Sequence, residues 1–342
     1  MADNTILDSI GNTPLVRLNN MMQDIPGSVY VKVEGANPGH SAKDRIVKYM
    51  IDNAEKEGKL KPGATLVEAS SGNTGFSLAM LAAVRGYKCV ITVKDTISDE
   101  KVKMLEALGA KLVMCPAGAK PESPESYYTQ AERIAGEIEN AFYVNQNFCL
   151  GNKMAYYHSL GPEIWEQSEG KITHYVCAAG TGGTISGPAE YLKEKNPDIK
   201  IIAIDAYGSL LTKYFETGIL DENELYRYKI EGTGKNIITS NQNFEVIDQF
   251  VKVTDKDAAL RARELLKREG IFAGYSSGGN LQGVVEIKDS LKESDYVVVL
   301  MHDHGSRYLS KIFNDEWMYA QGFLERPKPS TNGYAKKMKQ FH

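Results

Sequence analysis

Short runs of aliphatic and β-branched residues recur along the chain, each followed by a stretch whose apolar residues fall three to four positions apart. The first pattern fits a strand buried on both faces, and the second fits a helix with one apolar face. On this reading strands occupy 30–33, 88–93, 111–115, 142–144, 174–178, 200–204, 249–253 and 296–301. Helices occupy 46–56, 76–83, 98–108, 126–138, 185–195 and 257–269. Several helical patterns stop at a glycine, as at Gly86, Gly109 and Gly270, where the left-handed conformation that closes a helix costs least. Strands alternating with helices predict an α/β fold on largely parallel sheets.

Composition narrows the picture. The 342 residues are 42% hydrophobic and 25% charged, and 40 Lys+Arg against 44 Asp+Glu leave a net charge of −4. At roughly 150 residues per domain, the length predicts two domains with an ample core. A balanced charge gives no footprint for phosphodiester backbones, since Lys336-Lys337-Met338-Lys339 is the one short basic run, so no nucleic-acid partner is expected. Met1-Ala2-Asp3-Asn4-Thr5 lacks the basic-then-apolar pattern of a signal peptide, and no apolar run reaches about 18 residues. A cytoplasmic protein without membrane contact is the expectation. Cys89, Cys115, Cys149 and Cys177 are scattered and read as reduced core thiols. From Pro327 onward the sequence turns polar, as a loose tail would.

Two small-residue loops fall where a strand hands over to a helix. One is Glu68-Ala69-Ser70-Ser71-Gly72-Asn73-Thr74-Gly75, and the other is Gly180-Thr181-Gly182-Gly183-Thr184. Missing side chains let backbone N–H groups converge at a helix N-terminus, where a phosphate binds well. A nicotinamide dinucleotide is one possible guest, because Asp205 lies about 20 residues on, as a ribose ligand would. Ile185 at the third fingerprint position weakens that reading, and no Gly-Lys-Ser/Thr follows to make a P-loop. His302-Asp303-His304 invites a metal, but strand neighbours point to opposite faces, so no metal site is assigned. Tyr226 and Tyr228 lie where a loop could cover a site, and ordinary packing accounts for them better.

Asn37-Pro38-Gly39-His40-Ser41-Ala42-Lys43-Asp44-Arg45 completes a larger pattern with these loops, the opening Ile10-Gly11-Asn12-Thr13-Pro14-Leu15, Glu231-Gly232-Thr233-Gly234 and Gly274-Tyr275-Ser276-Ser277-Gly278. In this order the pieces resemble fold-type II pyridoxal-phosphate enzymes, specifically the cysteine synthase and cystathionine β-synthase family, over nearly the whole chain. Ser123-Pro124-Glu125-Ser126 and Asn314-Asp315-Glu316-Trp317-Met318 look closer to cystathionine β-synthase. The resemblance covers its catalytic core, without a C-terminal regulatory domain or a haem-binding N-terminal extension. The implied fold is tryptophan synthase β-like, with two three-layer αβα domains: a large cofactor domain of 1–42 and 148–326, a small mobile substrate domain of 43–147, and the tail 327–342.

The resemblance also implies roles. Lys43 would form the Schiff base with pyridoxal 5'-phosphate and then act as general base. Gly180, Thr181, Gly182, Gly183 and Thr184 would hold its phosphate, Asn73 its ring hydroxyl and Ser276 its pyridine nitrogen. A serine there leaves the ring a weak electron sink, which favours β-elimination over transamination. Ser71, Asn73, Thr74 and Gln146 would clasp the substrate carboxylate. The implied reaction is β-replacement on serine, O-acetylserine or O-phosphoserine by a sulfur nucleophile through an α-aminoacrylate, in a homodimer acting on small molecules. Cysteate formation from O-phosphoserine and sulfite, a serine/threonine dehydratase and an NAD-dependent dehydrogenase are the alternatives. His40 and Lys153 depart from the family's motifs, and they read best as a turn residue and a surface lysine. Their other reading is as added positive charge for an anionic leaving group or nucleophile.

Overall fold

The computed structural model describes residues 4–327; residues 328–342, most of the expected polar tail, lie outside them. The strands are β1 (Leu15–Arg17), β2 (Ser28–Val33), β3 (Thr65–Ala69), β4 (Lys88–Lys94), β5 (Lys111–Cys115), β6 (Ala141–Tyr143), β7 (His174–Ala178), β8 (Lys200–Ala206), β9 (Gln249–Val253) and β10 (Tyr296–Met301). The helices are α1 (Lys43–Lys56), α2 (Asn73–Arg85), α3 (Asp99–Ala107), α4 (Tyr127–Glu137), α5 (Gly151–His158), α6 (Leu160–Gln167), α7 (Gly183–Lys195), α8 (Leu211–Thr217), α9 (Asp255–Glu269), α10 (Tyr275–Glu286) and α11 (Asp315–Ala320).

They form two sheets. Six strands run in the order β1-β2-β10-β7-β8-β9, parallel except for β1, and four run β5-β4-β3-β6, all parallel. The α/β class with mostly parallel sheets is therefore the one the hydrophobic pattern predicts. Two strands escape that pattern for opposite reasons. β1 is three residues long and partly exposed at an edge, whereas β3 is buried at all five positions but carries Thr65 and Glu68, which break its apolar run.

The apolar faces do the packing. Ile46, Val47, Met50 and Ile51 of α1 are buried between α2 and α5, and each such side chain contributes about 1.5–3 kcal/mol. Gly86 and Gly270 close α2 and α9 in the left-handed conformation, as read from the sequence. Cys89, Cys115 and Cys177 are buried thiols. Cys149 is exposed in the loop before α5, which corrects its reading as a core residue. No described helix is long and apolar enough to cross a membrane.

Candidate active site

Parallel strands bring their C-terminal ends to one edge, and ligands gather where neighbouring strands connect in opposite directions. In the larger sheet β2, β10 and β7 are neighbours. Their C-terminal ends lead to the Lys43 segment, to Asp303 and to the Gly180–Thr184 loop, so pairing of these strands converts sites 260 residues apart in sequence into one cleft. In the smaller sheet β3 pairs with β6, Val67 opposite Tyr143. The loops after them therefore meet, and Thr74 donates to Gln146 Oε1 at 2.6 Å.

Lys43 is the first residue of α1. Its backbone N–H donates to Ser41 Oγ at 3.2 Å, and the preceding Ala42 carbonyl accepts from Tyr156. His40 takes the left-handed conformation with φ +61° and is exposed, with Nδ1 3.4 Å from the Gly35 carbonyl, which suits a turn residue. Below the segment lies a buried ion network. Arg45 binds Glu34 at 2.7 and 2.8 Å and Glu163 at 2.6 and 2.7 Å, and Lys32 binds Glu163 at 2.7 Å. The two cations hold the Glu163 carboxyl down at about 2 against the pull of desolvation, and Arg45 lies above the ordinary arginine range.

The Lys43 ammonium has no hydrogen bond or ion pair among the described residues. Burial lowers its pKa from the usual lysine value, and the like charge of Lys235 pushes the same way. Its floor is uncharged: Cys177 Sγ lies 3.8 Å from His302 Nε2, and burial pushes that thiol up to about 12 and that imidazole down to about 3. A lysine so placed holds a readily freed proton, the property a nucleophilic or basic amine needs.

Across the cleft, α7 starts at Gly183 with no side-chain cap on its N-terminal amides. Gly182 has φ +91°, and a Cβ on Gly183 would sit 1.9 Å from Asn152 Oδ1, so the loop admits only glycine at both positions. Thr181 is fixed by Asn152 and Thr239. The Glu231-Gly-Thr-Gly turn closes against this loop through Gly234 N–H to the Ala179 carbonyl, 2.7 Å. Ser276 is buried at the start of α10, and among the described residues neither its hydroxyl nor the buried Thr233 hydroxyl has a hydrogen-bond partner.

Other residues singled out in the sequence also find places. Ser71 Oγ accepts from Lys94 N–H at 2.7 Å, and Asn73 Nδ2 donates to Asp303 Oδ2 at 2.7 Å. Gln146 is backed by Glu68, whose oxygens accept from its N–H and Nε2 at 3.3 Å. Burial raises the Glu68 carboxyl to about 8. The sequence reading placed Glu68 in the first loop without giving it a role, and it passed over Asp303's tie to Asn73 and Lys235. A lone acid inside an all-apolar strand was the available signal for Glu68; nothing local marked the other two.

The residues behind the secondary readings have these places. Lys153 pairs with Glu190 at 2.7 Å, so its charge is already matched. Asp205 is buried and accepts from Thr212 N–H and Oγ1 and from Ala206 N–H, leaving nothing to offer a ribose. His302 faces Cys177 while His304 faces His40 and Ser306, and no group of three metal-ligating side chains occurs among the described residues. Tyr226 is exposed, and Tyr228 packs against Gly234 and Asp205.

The half-buried Lys43 amine has no hydrogen bond or ion pair among the described residues, and the glycine-lined start of α7 carries no side-chain cap. Residues 6–303 match the family described as pyridoxal-phosphate dependent enzyme. The chain is 43% identical to the cystathionine beta-synthase of Apis mellifera over 322 residues, 94% of this chain and 63% of that protein. It is 37% identical to the cysteine synthase of Dictyostelium discoideum over 328 residues, 94% of this chain and 86% of that one. A solved hydrogen sulfide-producing enzyme from Fusobacterium nucleatum superposes with a TM-score of 0.81 at 33% identity, covering 90% of this chain and 98% of that one. The chain belongs to the fold-type II pyridoxal-phosphate-dependent family of cysteine synthases and cystathionine beta-synthases. That membership displaces the dehydrogenase alternative. The chain spans less than two thirds of the Apis mellifera relative's length.

Proposed function

We propose that the protein carries out β-replacement on serine or an activated serine with a sulfur nucleophile, as a homodimer. The observation that carries this reading is Lys43, a half-buried amine without a hydrogen bond or ion pair among the described residues, whose charge feels Cys177 at the end of β7, Asp303 after β10 and Lys235. When bound, pyridoxal phosphate supplies an aldehyde for the amine and a conjugated ring that accepts electron density from the substrate α-carbon. The donor set fits that group: backbone amides at Gly180, Thr181, Gly182, Gly183 and Thr184 for the phosphate, Asn73 for the ring hydroxyl and the free Ser276 hydroxyl for the ring nitrogen.

In this reading Lys43 Nζ takes the α-proton, because desolvation and Lys235 favour its neutral form. Ser71, Asn73, Thr74 and Gln146 orient the substrate carboxylate, with neutral Glu68 keeping the Gln146 amide turned toward Thr74. The smaller sheet and its helices, within 43–147, act as the substrate domain, and closing it on the carboxylate excludes water. Residues 1–42 and 148–326 form the cofactor domain.

The test is product analysis by mass spectrometry of the purified protein with serine, O-acetylserine and O-phosphoserine, each paired with sulfide, homocysteine and sulfite. Cysteine, cystathionine or cysteate is expected from at least one pair and is lost in Lys43→Ala. Release of pyruvate and ammonia alone would show a dehydratase instead. No turnover with any pair removes the proposal.

A further inference from the structure

Lys235 is so far only a like charge acting on Lys43, with no ligand of its own assigned. It follows Gly234, whose N–H is bonded to Ala179 at the mouth of the phosphate loop. Its own N–H is fixed by Ser209 Oγ at 3.0 Å, and its Nζ donates to Asn147 Oδ1 at 2.9 Å. Asn147 in turn follows Gln146, which contacts the first glycine loop through Thr74. The Lys235 side chain therefore bridges the turn beside the phosphate loop and the loop that carries Gln146, near enough to Lys43 to bear on its charge.

Its charge is unmatched. Lys101 and Lys311 both pair with Glu231, and Lys153 pairs with Glu190. Lys235 makes no ion pair among the described residues, and its partner is a neutral amide that positions the ammonium without cancelling it. Asn147 is buried, and because its oxygen faces Lys235 its amide nitrogen, which has no recorded partner, is left as a second donor. A cation and an amide N–H held side by side in a partly dry cleft make an oxyanion site.

We propose that Lys235 and Asn147 form a subsite for an oxyanion bonded to the substrate β-carbon. The proposal rests on the β-replacement reading and narrows its substrates to those that bring negative charge there. Two sources share this chemistry. In one, the C–O bond of a serine phosphate ester breaks with its electron pair leaving on oxygen as inorganic phosphate, sulfide forms the C–S bond, and the proton held at Lys43 Nζ returns to the α-carbon. In the other, the C–O bond of O-acetylserine breaks with its electron pair leaving on oxygen as acetate, the sulfur lone pair of sulfite forms the C–S bond to give a sulfonate, and the proton held at Lys43 Nζ returns to the α-carbon.

The experiment compares holoenzyme, Lys235→Met and Lys235→Arg with O-acetylserine plus sulfide as the reference pair. O-phosphoserine plus sulfide and O-acetylserine plus sulfite are the two test arms. Loss of one charged contact predicts a fall of about 10- to 100-fold in kcat/KM of a test arm relative to the reference in Lys235→Met, largely restored in Lys235→Arg. A fall in the phosphoserine arm identifies the departing group, and a fall in the sulfite arm the arriving one. Ratios unchanged in both arms, all pairs falling together, or a weakened cofactor dissociation constant with unchanged ratios overturns the proposal. Calorimetric titration of the holoenzyme with inorganic phosphate decides the subsite even if no pair turns over. Binding weakened about tenfold or more in a Lys235→Met protein of unchanged circular dichroism supports it, and equal binding refutes it.

Discussion

Replacing Glu68 by glutamine is expected to change how stability depends on pH. Glu68 is fully buried at the end of β3, and its neighbours Gln146, Tyr127, Tyr143 and Cys89 carry no positive charge. Desolvation is the largest influence and raises its carboxyl from 4.5 to about 8. Between those values the folded protein keeps a proton that the unfolded chain has released. Stability is therefore fully present below about pH 4.5, falls as pH rises through the window, and levels off above pH 8. At 1.36 kcal/mol per unit, the displacement from 4.5 to about 8 amounts to at most about 5 kcal/mol. Glutamine has no proton to lose and removes this slope.

Urea denaturation of both proteins at pH 5 to 9 measures it. The variant's stability minus that of the wild type is expected to rise by about 3–5 kcal/mol between pH 5 and pH 9. A constant offset at all pH values is uninformative about ionisation, because an amide opposite the Gln146 donors has a cost of its own; only the slope is diagnostic. A difference that stays flat within about 1 kcal/mol across the range would show that Glu68 is already ionised at neutral pH, and the account of how Gln146 is held would fail.

Two other substitutions test the framework. Gly183→Ala places a Cβ where Asn152 Oδ1 stands 1.9 Å away, forcing Asn152 off Thr181 and the Gln146 carbonyl. Two lost hydrogen bonds predict about tenfold weaker cofactor binding in an absorbance titration, and an unchanged dissociation constant would dissociate this loop from the phosphate. Arg45→Met strands the fully buried Glu34 without its cation, so a stability loss of about 3–5 kcal/mol at pH 7 is expected in urea denaturation. Adding Glu34→Gln recovers part of it, whereas a loss under about 1 kcal/mol in the single variant would show that water screens the network.

Pattern and composition alone were enough to read the alternation of β7, α7 and β8, because each element carries its own periodicity. The lysine segment and both glycine loops were legible for a similar reason: they are contiguous motifs whose small residues are demanded by local backbone geometry, as φ +91° at Gly182 illustrates. Edge strand β1 and wholly buried β3 were not, since β1 has too few residues and Glu68 interrupts the apolar run of β3. The readings of Lys153 and Asp205 as ligands of an anion or a ribose failed because charge in a sequence does not reveal whether a neighbour already consumes it. Glu190 and Thr212 are such neighbours, brought there by helix packing. Lys235 shows the converse: an ordinary lysine in sequence becomes an unmatched cation beside Asn147 only when two loops 88 residues apart are closed by separate sheets. Local conformation is set by nearest neighbours along the chain, so the sequence determined it. Protonation, pairing and free charge depend on what lies within a few ångströms in space, and only the tertiary structure decided those.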